Sequence, residues 1–171
     1  MSLPPIDVRD LLGHPGASRA AVLDGTIEGL GTELATVADD GRIRAELLLE
    51  SVIEGLVVSG RITGTLALRC ARCLTDIAEP LDVKADELFA LDPGDDEEVY
   101  TLDPEGWLDP DQMVRDAVGV ELPFAPLCRP GCLGICGRCG GNRNLGECTC
   151  PDDEVDPRWA ELEQLLGRGG L

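Results

Sequence analysis

Cations are scarce in this chain. Its 171 residues hold 14 Lys and Arg against 33 Asp and Glu, a formal charge of -19. A general electrostatic grip on bare nucleic acid is thereby excluded, because phosphate contacts need clustered Lys and Arg; any such contact has to be local. Aromatics are almost as rare, limited to Phe89, Phe124, Tyr100, Trp107 and Trp159. A core therefore has to be packed from Leu, Val, Ile and Ala, and a hydrophobic content of 43% is enough to supply one. The one histidine, His14, is followed by Pro15 and has no cysteine near it, so it reads as a surface-loop residue. H-E-x-x-H, P-loop and G-x-S-x-G motifs are missing, and Ser2, Ser18, Ser51 and Ser59 have no imidazole partner other than His14. An enzyme is not expected. No stretch is long enough to cross a bilayer, and Met1–Val8 has neither a basic start nor an apolar run of signal length. The expectation is a folded cytoplasmic protein with no membrane partner.

Cysteine is what the chain has in excess. Eight occur, as Cys70-x2-Cys73 in mid-chain and as Cys128-x3-Cys132-x3-Cys136-x2-Cys139-x8-Cys148-x-Cys150 near the end. A close pair of thiols clips one edge of a tetrahedron and two pairs complete it, so four pairs predict two structural Zn2+ sites of four thiolates each. A disulfide framework would require an oxidising compartment. A redox dithiol at Cys70-Ala71-Arg72-Cys73 would require a strand-to-helix context that the sequence does not offer. Cys136, Cys139, Cys148 and Cys150 can close a site across a short loop containing Asn142, Asn144 and Gly146. Cys128 and Cys132 are then left for Cys70 and Cys73, about 55 residues upstream. A second partition, with Cys128, Cys132, Cys136 and Cys139 in one site and the outer pairs in the other, has the same ligand count and stays open. All-thiolate sites leave no open coordination position and are structural rather than catalytic.

Charge is spread unevenly around these cysteines. Residues 86–111 carry eleven carboxylates and no Lys or Arg, whereas residues 128–150 hold three Arg against one Glu. Arg69, Arg72, Arg129, Arg138 and Arg143 flank the cysteines and are the candidates for RNA contact. Their alternative role is to offset the thiolate charge through hydrogen bonds. The acidic run from Asp92 to Glu98 reads as a solvated loop.

The rest of the chain follows a period of two. Gly31–Val37 is compatible with a strand, and Asp39-Asp40-Gly41 carries the signal of a hairpin turn. Ile43, Ala45, Leu47 and Leu49 alternate with polar residues, as do Ile62, Gly64, Leu66, Leu68 and Cys70, then Leu81, Val83 and Ala85. Gly55, Gly60 and Gly64 suggest bulges or bends. Cys70 and Cys73 fall near the tip of a β-hairpin, and Ile6, Val8, Leu11 and Leu12 suit a helical turn or a docking arm. A helix is expected at about 110–121, with Asp109 as N-cap, Pro110 in first position, Gln112 completing a capping box, and Leu108 and Met113 as a hydrophobic staple. A weaker helix is expected from Asp156, with Trp159, Leu162, Leu165 and Leu166 on one stripe. The fold class is α+β: a mostly antiparallel meander or barrel-like sheet, one packed helix and a C-terminal zinc-binding appendage. Its divisions fall at 1–127, 128–151 and 152–171, the last an acidic tail with a short helix.

The sequence resembles the YceD family of bacterial and plastid proteins. The likeness rests on Leu68-Arg69-Cys70-Ala71-Arg72-Cys73-Leu74, the helix ending in Glu121-Leu122-Pro123, Leu127-Cys128-x3-Cys132-Leu133-Gly134-Ile135-Cys136-x2-Cys139-Gly140-Gly141-Asn142-x-Asn144, and Cys148-x-Cys150. It spans roughly residues 5–155. The resemblance implies a role in accumulation or processing of large-subunit (23S) ribosomal RNA. The implied partners are that RNA or early assembly intermediates, together with a basic ribosomal protein. Two other readings stand beside it: an adaptor that binds a basic partner without touching RNA, and a zinc-thiolate redox switch.

Overall fold

Alternating apolar side chains set the architecture. In the computed structural model, which describes residues 3–92, 94 and 99–151, the strands are β1 (Ile6–Asp7), β2 (Ser18–Thr26), β3 (Ala35–Val37), β4 (Arg42–Ser51), β5 (Gly55–Arg69), β6 (Asp76–Ala90), β7 (Tyr100–Thr101) and β8 (Trp107–Leu108). The main helix is Asp111–Glu121. Every second residue of β4 from Ile43 is buried, and β5 and β6 turn Leu56, Val58, Ile62, Leu66, Leu68, Leu81, Val83 and Ala85 to the same core. This is the period-two pattern of a sheet with one wet face. The acidic run around Asp95–Glu98 and the expected helix from Asp156 lie outside the described residues.

The sheet is open rather than barrel-like. Its order is β2-β4-β5-β6-β7, with β3 also pairing β5, and all pairs are antiparallel except β6–β7. Closure would require β2 to meet β7, but their neighbours are β4 and β6 alone. The apolar face is covered instead by the N-terminal arm and the helix. Leu3, Ile6, Val8 and Leu11 from the arm join Met113, Val114 and Val118 from the helix in one cluster with the strands. The arm is held by β1–β8 pairing, by Val8 N donating to the Gly106 carbonyl, and by one helical turn in which Leu12 N donates to the Val8 carbonyl.

Three local expectations change. Asp39-Asp40-Gly41 does not reverse the chain. Val37 faces Leu66 and Ile43 faces Gly64, so β3 and β4 run in line along β5 and residues 38–42 are extruded opposite Thr65. Asp39 and Asp40 take φ of 53° and 55°, and Gly41 takes 86° where a Cβ would overlap the Ile27 carbonyl, so the signal marks a left-handed kink. Conversely, the registers of β5 with β4 and with β6 run unbroken through Gly60 and Gly64, so neither glycine is a bulge. Gly60 is there because a side chain would strike the Glu46 carbonyl across the ladder. At the helix, Asp109 Oδ1 accepts from Asp111 N at 3.0 Å and Leu108 and Met113 are both buried, as expected of cap and staple. Gln112 donates forward to Asp116 at 2.8 Å and closes no capping box.

Candidate metal centre

The longest hairpin delivers the first cysteine pair. β5 and β6 are fifteen residues each and pair from Gly55↔Ala90 to Arg69↔Asp76, so the chain turns at Cys70–Thr75. Cys70 N donates to the Thr75 carbonyl at 2.9 Å and Leu74 N to the Cys70 carbonyl at 2.9 Å, with Leu74 left-handed at φ 59°. The tip is then gripped by the segment after the helix. Ala71 N donates to Pro126 O, Ile135 N to Arg72 O, and Arg72 Nη1 to Cys132 O.

These contacts gather Cys70, Cys73, Cys128 and Cys132 into one tetrad and Cys136, Cys139, Cys148 and Cys150 into a second, with the sulfurs of each within 4.8 Å of one another. The partition that closes the second set locally is the one the fold adopts. A tetrahedral metal with metal–sulfur bonds of about 2.3 Å requires sulfurs about 3.8 Å apart. Cys70–Cys132 is 3.8 Å and Cys73–Cys128 is 3.6 Å, against about 2 Å for a disulfide. All eight cysteines are free of disulfides. Each tetrad is thus able to hold a metal ion. Cys70, Cys73 and Cys132 are buried, whereas Cys139 is exposed and Cys136, Cys148 and Cys150 are half-buried.

Backbone amides prepare the thiolates. The N–H of Cys128, with those of Cys73 and Arg72, draws the Cys70 thiol down to about 6 against the opposing effect of burial. In the second tetrad the N–H groups of Cys139 and Arg138 draw Cys136 down to about 6. Crowding by neighbouring thiols does the reverse, raising Cys128 to about 12 chiefly through Cys73 and Cys150 to about 12 chiefly through Cys139. Within each tetrad the backbone amides thus favour one thiolate while crowding by neighbouring thiols disfavours another, an opposition that a bound cation would relieve.

The flanking arginines divide by what they touch. Arg69 pairs with Asp76 on the exposed hairpin at 3.1 Å, Arg72 braces Cys132, and Arg129 Nη2 donates to Asn144 Oδ1 at 2.7 Å. Arg138 is exposed beside the second tetrad, with its N–H 3.4 Å from Cys136 Sγ, and the Arg143 backbone N–H donates to the Gly134 carbonyl. The sequence reading assigned no role to Thr75, whose hydroxyl lies 3.2 Å from Cys73 Sγ and lowers that thiol's pKa. Asn144 was equally unassigned, and its Nδ2 lies 3.4 Å from Cys132 Sγ. Both are polar residues close to ligands, but spacing alone does not say which sulfur a side chain will reach. His14 is exposed, with Nδ1 against the Leu12 carbonyl, and belongs to neither tetrad.

A family model described as "Large ribosomal RNA subunit accumulation protein YceD" matches residues 58–166, from within β5 through both tetrads. The chain belongs to the YceD family. Similar chains include an uncharacterized protein of Mycobacterium leprae, 37% identical over 94% of this chain and 76% of its own length. Another, from Mycobacterium tuberculosis, is 34% identical over 95% of this chain and 81% of its own. A chloroplastic protein of Arabidopsis thaliana named as a YCED homolog for large ribosomal RNA subunit accumulation is 32% identical, over 37% of this chain and 21% of its own. No solved structure matches. Among the described residues no helix is long and apolar enough to cross a membrane.

Proposed function

We propose that this YceD protein is a non-enzymatic factor of large-subunit ribosome biogenesis that acts in the cytoplasm and supports synthesis, processing or stability of 23S ribosomal RNA. In this reading Cys70, Cys73, Cys128 and Cys132 hold one structural Zn2+ and Cys136, Cys139, Cys148 and Cys150 hold another. The observation that carries it is the gathering of eight thiols into two tetrads inside the segment matched by the family's rRNA-accumulation model. Four thiolates complete a tetrahedron and leave no position for a substrate, which supports a structural role. Bound zinc would supply cross-links between segments and neutralise part of the thiolate charge.

The reading divides the chain into a β-rich body at 1–127, a cysteine segment at 128–151 and an acidic tail at 152–171. Arg69, Arg72, Arg129, Arg138 and Arg143 are the proposed RNA contacts, on large-subunit RNA or early assembly intermediates that include a basic ribosomal protein. They sit where the chain is least acidic, so phosphates meet them with the least opposing charge. The test is a strain lacking the protein, grown in the cold. A lowered level of mature 23S RNA and a deficit of large subunits are expected; normal subunit ratios would replace this reading with that of an adaptor for a basic protein. Replacing Arg138 and Arg143 with Gln should weaken association with ribosomal precursors at unchanged zinc content. A loss of zinc instead would assign those arginines to the support of the thiolates.

A further inference from the structure

Asn144 lies in the sequence span of one tetrad and spends its side chain on the other. It sits in the 3-10 turn Arg143–Leu145, inside the loop that joins Cys139 to Cys148 and so closes the second tetrad. Its side chain reaches out of that loop to the first. Oδ1 accepts from Leu133 N at 2.9 Å and from Arg129 Nη2 at 2.7 Å, the two residues that bracket the Cys132 turn. Both partners can only donate, which fixes the amide with its N–H2 on the opposite side. There Nδ2 donates to Cys132 Sγ at 3.4 Å and to Asn142 Oδ1 at 2.9 Å.

The loop that aims this amide is built on the second tetrad. Asn142 Oδ1 also accepts from Asn144 N, while Asn142 N donates to Glu147 Oε2 and Glu147 N returns to the Asn142 carbonyl. The base of the loop is tied by Cys136 N to Gly141 O and Gly140 N to Cys136 O, both at 2.8 Å. Its flank is tied by Arg143 N to Gly134 O, two residues from Cys132. Cys148 and Cys150 follow the loop directly. Holding them against Cys136 and Cys139 fixes where residues 142–147 lie, and with them the donor to Cys132.

On the reading that both tetrads bind metal, we propose that Asn144 couples them, so that an ion in the Cys136–Cys150 tetrad raises the affinity of the Cys70–Cys132 tetrad for its own. A thiolate that accepts a positioned N–H is oriented and better satisfied as a ligand, and outer hydrogen bonds of this kind change metal affinity about 10- to 100-fold. Linkage makes the effect mutual: metal at the first tetrad, by ordering Cys132 and Leu133, holds Asn144 and the loop in the conformation the second tetrad needs. Asn144 is a positioning residue here, since its N–H touches a ligand and not the metal.

Co2+ titration of the full metal-stripped chain tests the coupling, read by thiolate-to-cobalt charge-transfer absorption and repeated with Zn2+ against a chromophoric chelator. The wild type should take two ions in one cooperative step, the second bound at least about fivefold more tightly than the first. The Cys148→Ser/Cys150→Ser chain, which keeps the first tetrad only, should bind its ion about tenfold more weakly than the same tetrad in the wild type. Asn144→Ala should separate the wild-type step into two and cost little more when added to Cys148→Ser/Cys150→Ser. Asn144→Asp removes the donor and sets a carboxylate beside the thiolate, and should weaken the first tetrad further. Independent binding of two ions by the wild type overturns the proposal without any variant, and so does wild-type cooperativity retained in Asn144→Ala. A chain that develops no charge-transfer band with Co2+ overturns the metal reading itself, a result distinct from two bands without coupling.

Discussion

From Leu3 to Val118 the protein buries aliphatic side chains in one continuous cluster around Leu56, Ile62 and Phe89, whereas between Cys128 and Cys150 the one buried side chain among the hydrophobic residues is Cys132. The first tetrad's own cluster is Cys70, Cys73 and Cys132 with Ile77 packed against it. Around it Leu74, Phe124, Leu127, Leu133, Ile135 and Leu145 remain exposed. Burial of a Leu or Ile side chain stabilises by about 1.5–3 kcal/mol, and the body draws on that many times over while the cysteine segment hardly does. What holds the segment is a lattice of backbone hydrogen bonds and two sets of thiols. The contrast is between a region that folds by excluding water and one that has little apolar surface to bury and, on the proposed reading, is ordered by ligation.

Removing the metal should break the comparison most sharply. Structural zinc in small thiolate or imidazole sites supplies about 10 kcal/mol or more of folding free energy at neutral pH. Treatment with a strong chelator should therefore abolish amide-exchange protection across residues 128–150 while strands β4, β5 and β6 keep theirs. Equal loss of protection in both regions would mean that the body, too, depends on the metal.

The two tetrads should then differ from each other. Cys73 and Cys128 are 55 positions apart, while Cys139 and Cys148 are nine. Tying the longer loop removes more chain entropy from the unfolded state, by about 1.5 kcal/mol on a logarithmic dependence of closure entropy on length. Cys70 is also fully buried, so a serine there leaves an unsatisfied hydroxyl. Cys70→Ser should lower the thermal midpoint of the whole protein, and Cys148→Ser should chiefly loosen the segment. Equal shifts of the main transition would remove the distinction.

The same contrast explains what was legible beforehand. Strands β4, β5 and β6 were readable because burial on one face imposes a period of two, and the tetrads because close thiol pairs have few ways to complete a tetrahedron. Asp39-Asp40-Gly41 was misread because left-handed residues serve a kink as well as a hairpin, and only the pairing of β3 and β4 with the same strand separates the two. β1, β7 and β8 are two residues each, too short for any period, and exist because the arm and the β7 segment lie over the core. A barrel-like sheet was expected as an alternative to an open meander, but a sheet whose apolar face is capped by a helix and an arm has no need to close. Asn144 escaped notice because its role depends on two segments meeting in space.

Within the body, smaller changes should leave metal content untouched. Asp109→Ala removes the acceptor for Asp111 N and should cost about 1 kcal/mol in denaturant unfolding. The thiols should take up the same amount of zinc as in the unmodified chain. A loss of zinc would show that the helix, which leads directly into Leu122–Leu127, positions Cys128.

The smallest effect is expected at Tyr100, and it has a pH signature. Its ring stacks on Phe89 with centroids 5.1 Å apart, and its hydroxyl donates to Asp116 Oδ2 at 2.9 Å. Burial, followed by that bond and the negative charge of Asp116, pushes the phenol up to about 12. A group whose folded pKa is raised contributes stability that is complete below its unfolded value, near 10, and is lost as the pH climbs toward 12. Tyr100→Phe keeps the stack and removes the bond. At pH 7 it should cost less than about 1 kcal/mol, because the pair is partly solvated. Between pH 10 and 12 the wild type should lose this advantage and the two unfolding curves should converge, with zinc content the same in both. Curves that stay parallel to pH 12 would mean that folding does not raise the Tyr100 phenol.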